Sequence, residues 1–226
     1  MWLALLRKEL METAGIGLVA MGALLAWVGL EVRVGILTGL PFWSWFGISM
    51  QEISSIPFLD MKMHTPLAFV GGVLASVLTV RQVFYEDQKR VYGLLFHLPV
   101  PRSTLFLTKM IAGMVVYFLA MTIPVLVYAW WAATPGHHPS PFYWSMIWLP
   151  IKLIAVLTLL YFGWFLTWLR PARWTGTRLL PIVTTGALGF MFADLVEWWP
   201  AGVVLVVLAN VLLAVSILWV AEKRDY

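Results

Sequence analysis

The chain has 226 residues, of which 62% are hydrophobic and only 12% charged, and it contains 14 tryptophans and no cysteine. A soluble domain carries about a quarter charged residues, so this composition excludes a water-soluble globular protein. The lack of cysteine excludes a disulfide scaffold, a thiol enzyme and a cysteine-ligated zinc site, and the net charge of +4 indicates loops facing anionic lipid rather than nucleic acid.

Six apolar stretches are long enough, or nearly so, to cross the hydrocarbon core of a bilayer, which takes about 20 helical residues. Lipid offers backbone groups no partner, and no stretch shows the alternation of a membrane barrel, so all six predict helices. The expected fold is an all-α polytopic membrane protein with a single transmembrane domain over residues 1–226. The predicted spans lie near residues 14–37, 65–84, 109–133, 149–169, 179–197 and 200–220.

Lysine and arginine are divided unequally between the two sides of this arrangement. With both termini on one side, only Arg33, Lys62 and Lys152 of the 15 basic residues fall on the other. Cytoplasmic loops hold the excess of positive charge in membrane proteins, so we expect both termini to be cytoplasmic. The aromatic-rich outer segment 38–64 is expected to lie as short helices at the membrane interface.

The first twelve residues are amphipathic at helical spacing. The apolar side chains gather on one arc and the charged ones on the other: Trp2, Leu3, Leu6 and Leu10 against Lys8, Glu9 and Glu12. This pattern predicts an N-terminal amphipathic helix lying in the inner interface. An equally open alternative is that these residues simply extend the first span into the cytoplasm. The apolar stretch that follows has no small-residue cleavage site, so a removable signal peptide is not expected.

The loop between the second and third spans, residues 81–109, mixes acidic and basic residues with leucines at helical spacing. Leu94, Leu95 and Leu98 would form one face of a short amphipathic helix, and Pro99 and Pro101 would end it. By itself this pattern fits a docking surface for a cytoplasmic partner, a lipid-bound loop or an ordinary positively charged inner loop.

This segment resembles the signature of ABC-2 type permeases, the membrane subunits of many ATP-binding-cassette exporters. In that signature an acidic pair follows the second span, then come a basic stretch, a leucine pair, a proline-rich turn and a lysine that opens the third span. The start Leu-Leu-Arg-Lys-Glu-Leu at residues 5–10 is also similar to the connecting helix of the family. The matching residues in the segment are Glu86, Asp87, Leu94, Leu95, Pro99, Arg102 and Lys109.

The resemblance implies a division of labour between subunits. A separate cytoplasmic ATPase subunit would bind ATP and magnesium, and a coupling helix after the second span would transmit its closure to the membrane helices. The sequence has no Gly-Lys pair and hence no phosphate-binding loop, so we expect no cofactor and no enzyme activity in this chain. The expected coupling residues are Glu86, Asp87, Lys89, Arg90, Leu94, Leu95, Leu98, Pro99 and Arg102.

The resemblance further implies a second permease copy, identical or related, and a place in the cytoplasmic membrane of a prokaryote. An exporter is therefore the first functional hypothesis, and a haem- or copper-related maturation permease is its sharper variant. The alternative is an accessory membrane protein without transport activity. A membrane-embedded enzyme is not expected, because the chain lacks a nucleophile motif and all four histidines fall in predicted loops.

Two further sets of polar residues are weaker candidates. Asp194 and Asn210 are strongly polar groups within the late spans and are candidates for a translocation path, with a solvated helix end or helix packing as the alternatives. Thioether and imidazole ligands suit Cu(I). We nevertheless expect no metal, because exposed loops and interfacial methionines explain the same residues. The residues in question are Met61, Met63, His64, His137 and His138.

Overall fold

The computed structural model describes residues 2–32, 58, 61–89, 100–135, 141–170, 175–195 and 201–223. These residues form α-helices and contain no strand. A π-helical turn, Val80–Phe84, continues the second α-helix, and a 3₁₀ turn, Trp144–Ile147, leads into the fifth. The α-helices are α1 (Trp2–Glu31), α2 (Met61–Thr79), α3 (Tyr85–Gln88), α4 (Arg102–Ala133), α5 (Trp148–Leu169), α6 (Thr175–Leu195) and α7 (Ala201–Lys223).

Five helical stretches of the described chain are long and apolar enough to cross a membrane, which confirms the prediction of a helical membrane protein. They correspond to the predicted spans 1, 2, 3, 4 and 6. The predicted fifth span is the helix α6, which has 21 residues but is not among these five. A sixth span therefore stays a prediction. The five stretches are Trp2–Glu31, Met63–Gln88, Arg102–Ala133, Trp144–Leu169 and Ala201–Lys223.

The first twelve residues do not form a separate interfacial helix. Helix α1 runs without a break for 30 residues, so of the two sequence alternatives the structure shows the extension of the first span. At 1.5 Å per residue α1 is about 45 Å long, which exceeds a hydrocarbon core of about 30 Å. Glu9, expected on the polar arc of an interfacial helix, is 5% exposed and faces the neighbouring helices, so the polar residues are not confined to an outer face.

The helices α1 and α4 run side by side in the same direction. Glu9 meets Lys109 about two turns into each helix, and Gly17 meets Val116 two turns further along. Helix α5 is the central element, since it packs against α2, α6 and α7. The largest fully buried side chains include Tyr117 of α4 and Tyr161 of α5, which places the core between these helices.

The π-helical turn keeps the buried residues of α2 and of the following helix α3 on one face. Leu74, Leu78, Gln82 and Glu86 are all buried at a constant spacing of four residues. In a regular α-helix each four-residue step turns about 40° beyond a full circle, so this row would drift off the buried face. The wider turn at Val80–Phe84, in which Tyr85 N–H donates to the Val80 carbonyl, absorbs this drift and keeps Glu86 facing the bundle.

Small residues bring α6 against α5. The side chain of Thr185 fills the space beside Gly163, where any added Cβ would collide with its hydroxyl. Further along α6, Gly189 lies close to Val156 of α5. Close approach at small residues is a common way to pack helices in lipid, where no hydrophobic effect drives their association. The face of α6 that carries these small and polar residues therefore packs against α5 of the same chain.

Aromatic side chains gather at the opposite end of the bundle from Glu9 and Lys109. The ring of Phe58 packs edge-on against Tyr128 with centroids 4.9 Å apart, and it also contacts Phe142 at 6.4 Å. Phe58 is the one described residue of the stretch 33–60, so the prediction of interfacial helices over 38–64 lies mostly outside the described residues. Residues 61–64 belong to α2, which begins four residues before the predicted span.

We expect Gly17→Leu to destabilise the chain, because a side chain at this position meets Val116 of α4. Forcing extra methylene groups into a packed contact costs about 1–3 kcal/mol. Gly15→Leu is the matched control, since a Cβ at Gly15 has nothing within 4 Å. Thermal unfolding in detergent should show a lower midpoint for the first variant only. Equal midpoints for the two variants would mean that α1 does not pack on α4 as described.

Candidate functional site

A buried cluster of charged side chains lies where α1, α3 and α4 meet. Lys109 Nζ donates to Glu9 Oε1 and to Glu86 Oε1, both at 2.7 Å. The lysine side chain is 1% exposed and each glutamate side chain is 6% exposed. We call Glu9, Glu86 and Lys109 the ion junction.

The local sequence places each member of the ion junction on a buried face. Glu9 begins a row of buried residues on α1 that continues with Thr13 and Gly17. The Thr13 hydroxyl donates to the Glu9 carbonyl at 2.7 Å, so it needs no partner outside the helix. Lys109 lies two turns into α4, about 10 Å from the first residue of that helix. The junction is therefore inside the end of the bundle and not on its tip.

Partly exposed charges surround the ion junction on its outer side. Lys8 Nζ lies 3.8 Å from Glu9 and 3.9 Å from Glu86, and its side chain is 43% exposed. Arg81 pairs with Glu12 at 3.3 Å, and both side chains are about one-third exposed. The three acids of the cluster, Glu9, Glu12 and Glu86, thus face three bases. Because the charges of these six side chains add up to zero, they can be accommodated together at one end of an apolar bundle.

Hydrogen bonds extend the polar region from the ion junction toward α5. Gln82 donates through Nε2 to the backbone carbonyl of Lys109 at 2.9 Å, and Tyr161 donates its hydroxyl proton to Gln82 Oε1 at 2.8 Å. Gly113 makes room for this pair, because a Cβ there would collide with the Tyr161 hydroxyl and lie 2.8 Å from Gln82 Oε1. The π-helical turn, α4 and α5 are therefore tied together beside the ion junction.

The coupling residues expected from the sequence fall in different surroundings. Glu86 is turned into the bundle, whereas Asp87 and Arg102 are partly exposed and Lys89 is exposed. The expected role of Glu86 as a direct contact for a partner stays a prediction, but its carboxylate is engaged by Lys109 in this structure. The other expected coupling residues lie outside the described residues. They are Arg90, Leu94, Leu95, Leu98 and Pro99.

The exposed side of α3 presents an aromatic ring between two cations. Tyr85 is 41% exposed, and its ring lies 4.4 Å from the Arg81 guanidinium carbon and 4.3 Å from Lys89 Nζ. These distances are within the range of cation–π contacts. Tyr85 and Lys89, together with the neighbouring Gln88, form an exposed patch on the reverse side of α3 from Glu86. We call these three residues the outer patch.

The late-span candidates differ in their surroundings. Asn210 of α7 accepts a hydrogen bond from the Thr158 hydroxyl of α5 at 2.9 Å, and it donates to the carbonyl of Val206 at 2.8 Å. This arrangement fits the packing alternative, because the amide joins two helices. Asp194 lies in the last turn of α6, and its side chain is outside the described ones.

The metal candidates do not come together in the described part of the chain. Met63 is 4% exposed and belongs to the hydrophobic core, and His64 is one residue further on α2. The side chain of Met61, together with His137 and His138, lies outside the described residues. No group of three histidine, aspartate or glutamate side chains that could hold a metal occurs among the described residues.

Sequence reasoning found two members of the ion junction but assigned neither to it. The resemblance singles out Glu86 and Lys109, whereas the helical pattern places Glu9 on the polar arc of residues 1–12, which is wrong because Glu9 is buried. Gln82 and Tyr161 were not anticipated. The row of buried positions at four-residue spacing through Gln82 and Glu86 is the signal that could have revealed the inward face of this segment.

Comparison of the chain with protein-family models, curated protein sequences and solved structures finds no match.

We expect Lys109→Met to destabilise the chain strongly, because it leaves two buried carboxylates with only the partly exposed Lys8 as a nearby counter-charge. Breaking a buried ion pair by removing one partner costs about 3–5 kcal/mol, whereas a surface pair contributes about 0.2–1 kcal/mol. Glu12→Gln removes the partly exposed partner of Arg81 and serves as the matched control. Chemical unfolding in detergent micelles should separate the two variants. Similar losses in both would show that Lys109 is not buried between the two acids.

Proposed function

We propose that the chain is the membrane-spanning permease subunit of an ATP-binding-cassette exporter of the ABC-2 type. The observation that carries the proposal is the ion junction. Two separate parts of the sequence resemble this family, namely residues 5–10 and the segment 81–109. Glu9 from the first part meets Glu86 and Lys109 from the second, so the residues of the resemblance form one structural unit.

The proposed mechanism places ATP hydrolysis on a separate cytoplasmic subunit. That subunit binds ATP and magnesium, and this chain supplies the surface on which it docks. The outer patch supports this role, because Tyr85 combines exposed aromatic area with two adjacent cations. Exposed tyrosines of this kind are enriched in protein interfaces. Glu86 then acts on the inner side of the same helix, where it is bound to Lys109.

The proposed exporter contains a second permease copy, identical or related. Two grooves on the bundle surface support a path that is not formed by one chain alone. One groove of about 450 Å³ lies between α4, α5 and α7, and another of about 360 Å³ lies between α1 and α2. Both are lined by apolar side chains only, including Phe162 in the first and Phe69 in the second. Such surfaces suit lipid or a neighbouring helix, and a polar path would be assembled between subunits.

The proposed orientation puts the ion junction and both termini on the cytoplasmic side of a prokaryotic inner membrane. The distribution of lysine and arginine supports this orientation.

The test is purification from the native membrane in mild detergent with analysis of the co-purifying proteins and their ATP hydrolysis. We expect an ATPase with a phosphate-binding loop, and we expect the double variant Tyr85→Ala/Lys89→Glu to reduce its amount. Tyr143→Ala is the matched control, since Tyr143 is a 60% exposed tyrosine near the opposite, aromatic end of the bundle. Recovery of the wild-type chain without any ATPase would contradict the proposal and favour the accessory-protein alternative.

A further inference from the structure

The coupling segment is the predicted loop 81–109 between the second and third spans. The ion junction joins the part of this segment before its leucines to the part after its prolines. Glu86 precedes the segment's leucines and prolines and Lys109 follows them, and the two side chains are 23 positions apart in the sequence. Their 2.7 Å hydrogen bond therefore joins the beginning of the segment to its end. A displacement of the segment by a docked partner must move these two residues together or separate them.

Lys109 passes any such displacement to α1 as well. The same ammonium group binds Glu9, which is 100 positions away in the sequence. The side chains of all three residues are at most 6% exposed, so water has little access to replace a lost hydrogen-bond partner. The three groups are thus held as one unit, and α1, α3 and α4 share it.

The π-helical turn is the point at which this unit is connected to α2. A π-turn contains one more residue than the corresponding α-turn, and such turns are frequent at functional sites. The turn ends directly before Tyr85, the first residue of α3. The π-helical turn therefore lies between α2 and the short helix that carries Glu86.

We propose that Glu9 and Lys109 are positioning residues that convert a displacement of the coupling segment into a movement of α1 together with α4. The inference rests on the proposed function, since it assumes a partner that displaces the segment. It goes beyond that function by assigning the transmission to one three-residue ion cluster and to α1. Glu9 and Lys109 touch neither ATP nor the transported substrate in this proposal.

The first experiment compares Glu9→Gln with Glu12→Gln in the complex of the chain with its co-purified ATPase. Both variants remove one carboxylate charge from α1, but only Glu9 belongs to the ion junction. We expect Glu9→Gln to keep the amount of bound ATPase while its permease-dependent hydrolysis falls by about tenfold, within the usual range of coupling between two sites. Glu12→Gln should hydrolyse ATP like the wild type.

A second measurement distinguishes transmission from a merely structural role. The chain has no cysteine, so spin labels can be attached to Cys introduced at the exposed positions Met11 of α1 and Leu179 of α6, a helix that packs against α5 and α7. We expect Mg·ATP to change the distance between them in the wild-type complex and in Glu12→Gln, but not in Glu9→Gln. Gly17→Leu, measured below its unfolding temperature, controls for weakened packing of α1 on α4 and should keep the change.

A double variant that exchanges the charges of Glu86 and Lys109 tests whether the response to Mg·ATP can be restored. Lys109→Glu alone places three acids together and should abolish the response, whereas Glu86→Lys/Lys109→Glu restores the original charges of the cluster and should recover part of it. Wild-type coupling in Glu9→Gln, or the loss of coupling in Gly17→Leu as well, overturns the inference and leaves the proposed function standing. If no ATPase accompanies the wild-type chain, the proposed function fails, and this inference fails with it.

Discussion

The structure depends on the burial of one lysine. Lys109 has 1% of its side chain exposed, and a charged amine in such a place is tolerated only when acids surround it. Two acids do so, and they come from helices that are far apart in the sequence. The position of α1 beside α4, the inward face of α3 and the π-turn that aims Glu86 all serve this one requirement. Among the described residues, the charged side chains that are buried are Glu9, Glu86 and Lys109.

Away from the ion junction the helices are held by shape and by a few hydrogen bonds. Gly17 accommodates Val116, and Gly163 accommodates Thr185, so backbones approach closely where no hydrophobic effect between helices is available in lipid. The bond between Thr158 and Asn210 attaches α7, which otherwise exposes a broad apolar surface. The bundle therefore has a polar end that fixes the arrangement of three helices, and an apolar body that packs by small residues.

This division bears on the proposed function. A docking surface has to be accessible, whereas a connection between helices has to be protected from water, and α3 provides both in a single turn. Tyr85 and Lys89 face outward, and Glu86 faces inward. The expectation that all the charged residues of the segment touch a partner did not distinguish these two sides. Four residues of helix are enough to separate them, because successive side chains point about 100° apart.

The sequence by itself determined the class of the protein and the positions of five helices that are long and apolar enough to cross a membrane. Apolar length and the scarcity of charge are properties of the chain alone, and lipid leaves helices as the economical solution for them. Only the tertiary structure decided that residues 2–12 belong to α1, that Glu86 points inward, and that Gln82 and Tyr161 belong to the site. These features depend on residues up to 100 positions apart, and on a π-turn that a regular 3.6-residue period does not anticipate. A buried charge is placed by its partners, and the partners are known only when the helices are packed.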